Sequence, residues 1–300
     1  SLIEDKEKIY WNSYAKNQQG YVCIGVNESF SGFANLKTPI KALFLEEYPG
    51  LELSVQDKNL VIKGTVPGIY ENVVVVAQDK EGISYTSEPI SVIVDSDTPV
   101  VQVNSPINYS YVQDLVQLKG SIKDSVGILQ SEYSLDNGAT WTKFDVNDIG
   151  SVDFDIPLDF TETPEGIIPI DVRVQDRTRK SHTERLVVFK DVSAPQVTVL
   201  VPCKEDRVNG ETLTVFKIID NGKASQVFYN AEGGDVELPM KQYLSTFVGN
   251  TEKPLSQEMQ FTFTDKAGNK LELNDWEFIV DQESDLPVPE IHVPSDNEII

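Results

Sequence analysis

Val188-Phe189-Lys190-Asp191 runs through Val192-Ser193-Ala194 into Pro195 and a fresh alternating strand, Gln196-Val197-Thr198-Val199. The same phrase stands at Val92-Ile93-Val94-Asp95 into Pro99, and again at Phe278-Ile279-Val280-Asp281 into Pro289. The three prolines are 96 and 94 residues apart. A period of that length is the size of one small β-sandwich of about seven strands, so the chain is predicted to be a tandem array of all-β units.

Working outward, the second and third repeats align at a constant offset of 96: Pro99 with Pro195, Pro106 with Pro202, Asp124 with Asp220, Tyr133 with Tyr229. Past the next loop the offset becomes 89, which sets Val172-Arg173-Val174-Gln175-Asp176 against Phe261-Thr262-Phe263-Thr264-Asp265. Length changes of this kind fall in loops. Within the second repeat, Val116 and Leu118, Phe154 and Ile156, and Ile168, Ile170, Val172 and Val174 alternate with polar neighbours. Period-two runs between Gly, Pro, Asn and Asp clusters specify strands with one dry and one wet face, as in stacked antiparallel sheets. The predicted units are 1–95, 96–191 and 192–282, followed by a linker and the first strand of a truncated further repeat at 283–300. Extended, three such units measure on the order of 100 Å.

The first repeat is least legible at its start. Residues 1–37 complete the first sandwich or belong upstream; Tyr10, Trp11 and Tyr14 sit on an extra strand or a short helix. Thr38-Pro39 before Ile40, Leu43 and Phe44 opens a short helix or an edge strand.

With 48 acidic and 25 basic residues the formal net charge is -23. Such a surface repels nucleic acid and anionic lipid. No segment is apolar for long enough to cross a bilayer, so direct membrane insertion is not expected of these residues. Cys23 and Cys203, in different repeats, rule out an intra-sandwich bridge between them. No Cys-x-x-Cys, His-Glu-x-x-His, Gly-x-Ser-x-Gly or phosphate-cradling glycine loop is present. The expectation is a non-enzyme without a resident cofactor, monomeric.

Tyr48-Pro49-Gly50-Leu51, Gly64-Thr65, Gly68-Ile69-Tyr70 and Asp79-Lys80-Glu81-Gly82 resemble the turn and strand signatures of immunoglobulin- or cadherin-like repeats in bacterial surface proteins. Asp265-Lys266-Ala267-Gly268-Asn269 likewise resembles the Asp-x-Ala-Gly-Asn turn of bacterial Ig-like modules, a group that also embraces fibronectin type III-like repeats. The resemblance implies an extracellular, cell-surface or periplasmic bacterial protein: a stalk, a spacer or an adhesive module with a protein or glycan ligand. An alternative is a set of accessory modules beside a catalytic domain of a carbohydrate-active enzyme, or a periplasmic scaffold.

Carboxylates on turns at repeat ends are the oxygen donors calcium prefers, which nominates Asp95, Asp97, Asp79 and Asp176 as calcium ligands. The first junction is favoured, because Asp191-Val192-Ser193-Ala194-Pro195 is less acidic than Asp95-Ser96-Asp97. Ser134-Leu135-Asp136-Asn137-Gly138-Ala139-Thr140-Trp141 is similar to the Asp box that braces hairpins in sialidases, and it makes Trp141 a candidate sugar contact. Arg177, Arg179 and Lys180 belong to the one basic cluster and are candidates for an acidic partner.

Overall fold

The computed structural model describes residues 8–281 except 15, 37–38, 45–47, 57, 147–150, 223, 232–233 and 257. Every regular element among the described residues is a β-strand. The expected further repeat at 283–300 lies outside them. They separate into two compact units: residues through Tyr109 with 116–158 and 168–188, and 110–115, 159–167 and the residues from Phe189 onward. The second sequence repeat contributes to both.

In the first unit, the first repeat forms a sheet in the order Lys8–Trp11, Ser29–Asn35, Asn59–Gly64, Leu51–Gln56, with antiparallel neighbours throughout. A second sheet runs Val22–Gly25, Ile90–Asp95, Gly68–Val73, and a third pairs Val76–Asp79 with both Ile40–Phe44 and Ser84–Thr86. Phe30, Leu60 and Ile62 from the first sheet pack with Val22, Val73, Val92 and Val94 from the second, all buried. Alternation produces this two-layer core, since every second side chain of Asn59–Gly64 faces inward. Gly64 closes the layer, for a Cβ there would sit 2.5 Å from Val94 Cγ2. Residues 8–36 thus complete the first sandwich, and both open choices of helix or strand resolve as strand, at Lys8–Trp11 and Ile40–Phe44.

The second and third repeats share backbone detail at the predicted offsets. Val101 pairs with Ile122 and Val197 with Ile218, and both ladders shift register one step further on, at Val103/Ser105 and Val199/Val201. Tyr133 pairs with Val172 and Tyr229 with Phe261, in antiparallel ladders that end at Ile128 opposite Asp176 and Ala224 opposite Asp265. In the second unit Phe216, Tyr229, Phe261, Phe263 and Phe278 fill the core, with the Phe216 and Phe263 rings 5.0 Å apart and near-perpendicular.

One departure from an antiparallel plan recurs three times. A short early strand of each repeat pairs parallel to its last strand: Val22 with Val92, Tyr111 with Phe189, Arg207 with Ile279. This pairing sets the end of the last strand, where Asp95, Asp191 and Asp281 lie, beside the end of that early strand, as with Asp95 opposite Gly25.

Candidate functional site

Each of Asp79, Asp176 and Asp265 ends a strand and folds the next turn onto its own carboxylate. Asp79 Oδ1 accepts from Ile83 N at 2.8 Å, Asp176 Oδ1 from Thr178 N at 2.7 Å and Lys180 N at 2.9 Å, and Asp265 Oδ1 from Asn269 N at 2.8 Å. Three residues along, Gly82, Arg179 and Gly268 take φ of 84°, 67° and 93°. That left-handed backbone suits glycine, and the second repeat carries an arginine there instead.

The second turn reaches the last strand of the first repeat. Lys180 Nζ pairs with Asp95 Oδ2, donates to the Asp95 carbonyl at 3.1 Å and lies 4.0 Å from Asp176 Oδ2. Thr178 Oγ1 donates to Asp95 Oδ2 at 2.9 Å, while Ser125 Oγ sits 3.2 Å from Asp95 Oδ1 and 2.9 Å from Asp97 Oδ1. Asp124 completes the group, its Oδ1 capped by Val126 N and Gly127 N at 2.9 Å each. Asp95, Asp124 and Asp176 are all buried. Burial pushes Asp95 up, but contact with Asp97 and the bonds from Lys180 and Thr178 hold it below the ordinary carboxylate value. Asp97 is raised by its neighbour Asp95, and Asp176 by burial. Asp124 is pushed up to about 6, by burial first and then by the Asp176 and Asp95 charges.

Of the four nominated calcium ligands, the structure brings Asp95 and Asp176 to the ammonium of Lys180, and Asp97 joins them through Asp95 and Ser125. Asp79 stays in its own turn, with Tyr85 Oη 3.3 Å from its Oδ2. Of the basic candidates, Lys180 is committed to this internal pairing, Arg177 Nη1 donates to the Lys16 carbonyl at 3.4 Å, and Arg179 is the exposed turn residue. Asp124, Ser125 and Thr178 were missed by the sequence reading.

One repeat later the same positions hold Asp191, Asp220 and Asp265, each with a carboxylate oxygen within 4.8 Å of the others. Thr178 is replaced by Ala267 and Lys180 by Asn269. Asn269 Nδ2 donates to the Asp191 carbonyl at 3.0 Å and to Asp265 Oδ2 at 2.8 Å, and Gln113 Nε2 steadies its Oδ1 at 2.8 Å. Asp191 is 1% exposed. Burial raises it, with the Asp265 and Glu165 charges adding to the effect. Asp220 is pushed up to about 6 by burial, then by Asp191 and Asp265. Applying the offsets of 96 and 89 to Asp95, Asp124 and Asp176 finds this second group in the sequence.

The Asp-box segment is a braced hairpin. Ser134 Oγ accepts from Gly138 N at 2.8 Å, Asp136 accepts from Thr140 N at 2.8 Å and Thr140 Oγ1 at 2.6 Å, and Trp141 Nε1 donates to the Gly138 carbonyl at 3.0 Å. The Thr140 donors hold Asp136 down at about 2. Arg173, bonded through Nε to the buried Glu132 at 2.7 Å, lies 3.8 Å above the Trp141 ring. Beside it Gln130, Glu132, Arg173, Gln175 and Ser181 line a polar depression of about 280 Å³. Both cysteines are outside disulfides, and Cys203 is exposed.

No protein-family model matches the chain, and no curated protein matches its sequence. Solved structures do resemble it. Fibronectin(III)-like modules of Clostridium thermocellum CbhA match at 17% identity over 61% of this chain and 93% of theirs, with TM-score 0.36. The three-Ig ectodomain of mouse nectin-like molecule 4 matches at 11% over 90% and 99%, with TM-score 0.40. A tetra-tandem repeat from the extending region of a large adhesion protein matches at 17% over 88% and 71%, with TM-score 0.29. Sheet order, two-layer cores and repeating register make this an all-β protein of tandem Ig-like sandwiches.

Proposed function

We infer that the chain is a non-catalytic tandem Ig-like region of a bacterial surface or exported protein, built as three sandwiches of residues 1–95, 96–191 and 192–282. Its role is to space and present an adhesive region, or to bind a protein or glycan itself. The observation that carries the reading is the tie at Asp95. The last strand of one repeat ends in a buried carboxylate held by Lys180 and Thr178 from the turn of the next. A spacer needs such a tie, because short proline-ended linkers limit the reach of a joint but do not fix it. Small-angle scattering of the whole chain tests it. A rod with a maximum dimension on the order of 100 Å is expected, and a compact sphere of the same mass would sink it.

A glycan-binding reading draws on the polar depression beside Trp141. Glycan-array binding lost in Trp141→Ala supports it, whereas a flat array removes it.

A further inference from the structure

We propose that Asp191, Asp220 and Asp265 bind one calcium ion, which takes the place of the ammonium that Lys180 supplies to the equivalent carboxylates one repeat earlier. Three carboxylates within 4.8 Å of one another repel strongly, the more so when withdrawn from water. In the first group a lysine relieves that repulsion. In the second, the lysine position holds Asn269, which is neutral and spends its amide on backbone and carboxylate oxygens. Glu165, with Oε1 2.7 Å from Ser193 Oγ, adds a fourth negative charge bearing on Asp191.

Two further observations point to a ligand. Asp191 is almost wholly buried, yet among the described residues its Oδ2 meets no well-formed hydrogen bond, and neither does either oxygen of Asp220. Buried carboxylate oxygens left so are costly unless something fills their lone pairs. Gly222 also stands where the first group has Val126, and a Cβ at 222 would lie 2.1 Å from Asp191 Oδ2. Only glycine admits this carboxylate into the group. An all-oxygen donor set of three carboxylates suits calcium, which accepts 6–8 oxygen ligands at 2.3–2.6 Å, better than magnesium, which keeps several waters and binds through one or two carboxylates.

Calcium titration calorimetry and thermal unfolding of the whole chain, stripped first with EDTA, test the assignment. One ion per chain and a melting point about 5 °C or more above the EDTA value are expected. Asp220→Asn should weaken binding at least about tenfold. Asn269→Lys should abolish the calcium effect while raising the melting point in EDTA. Absence of heat and of any melting shift at millimolar calcium would overturn the proposal, as would wild-type affinity in Asp220→Asn. An equal response to magnesium would overturn the choice of calcium. If Asn269→Lys does not fold, Asp220→Asn alone decides.

Discussion

Asp95 and Asp176, with Asp124 beside them, meet a lysine, whereas Asp191, Asp220 and Asp265, the counterparts one repeat later, meet an asparagine at that place. The two repeats share the shift of register in their first paired strands. What differs is the source of the compensating charge. A repeat fold can thus keep a buried acidic group while exchanging a covalently attached cation for one drawn from solution. The first solution is permanent, and the second answers to its surroundings.

The comparison breaks most visibly at Lys180. Lys180→Met leaves Asp95 buried without its partner, and urea unfolding should show a loss of about 3 kcal/mol. Lys180→Asn should lose a similar amount in EDTA and recover part of it in millimolar calcium; a variant indifferent to calcium would show that the two groups are not interchangeable. Next in size is Gly222→Val, which imports the first group's residue into the second. Its side chain collides with Asp191, so a loss of about 2 kcal/mol is expected by the same measurement.

A smaller effect concerns pH. The folded value for Asp124, about 6, lies above its ordinary value of 3.8, so the native state holds this proton more tightly than the unfolded chain. Its contribution therefore falls as pH rises from 3.8 to about 6 and stays low beyond that. Asp124→Asn retains an oxygen for the Val126 and Gly127 amides and should raise stability by about 1 kcal/mol at pH 7, with no change at pH 3. Equal gains at both pH values would refute the electrostatic origin. Smallest is Arg179→Gly, which should add about 0.5 kcal/mol by relieving a left-handed arginine, while Gly268→Arg should remove about as much from the third repeat.

Much of the fold was legible because sandwich strands bury every second side chain. Val116 and Leu118, or Val172 and Val174, announce a dry face without reference to anything distant in the chain. Residues matched between repeats by the offsets of 96 and 89 take equivalent pairings, Tyr133 with Val172 and Tyr229 with Phe261. The choice between helix and strand at Ile40–Phe44 was not legible, because pairing with Val76–Asp79, a partner more than thirty residues away, decides it. Acidity along the chain likewise carries no record of what each acidic group meets. It favoured Asp95 and Asp97 over the sparser stretch at Asp191, whereas Lys180 already serves the former and Asn269 faces the latter.

By itself the sequence determined that this is a repeating all-β chain, where its turns fall and which side chains face inward, since those depend on neighbours one or two residues away. Only the tertiary structure decided what each aspartate meets. Asp95 and Lys180 are 85 residues apart, and Asp191 and Asn269 are 78 apart. Charges act through the space between them, and no local pattern records which distant side chain the fold will bring to that space.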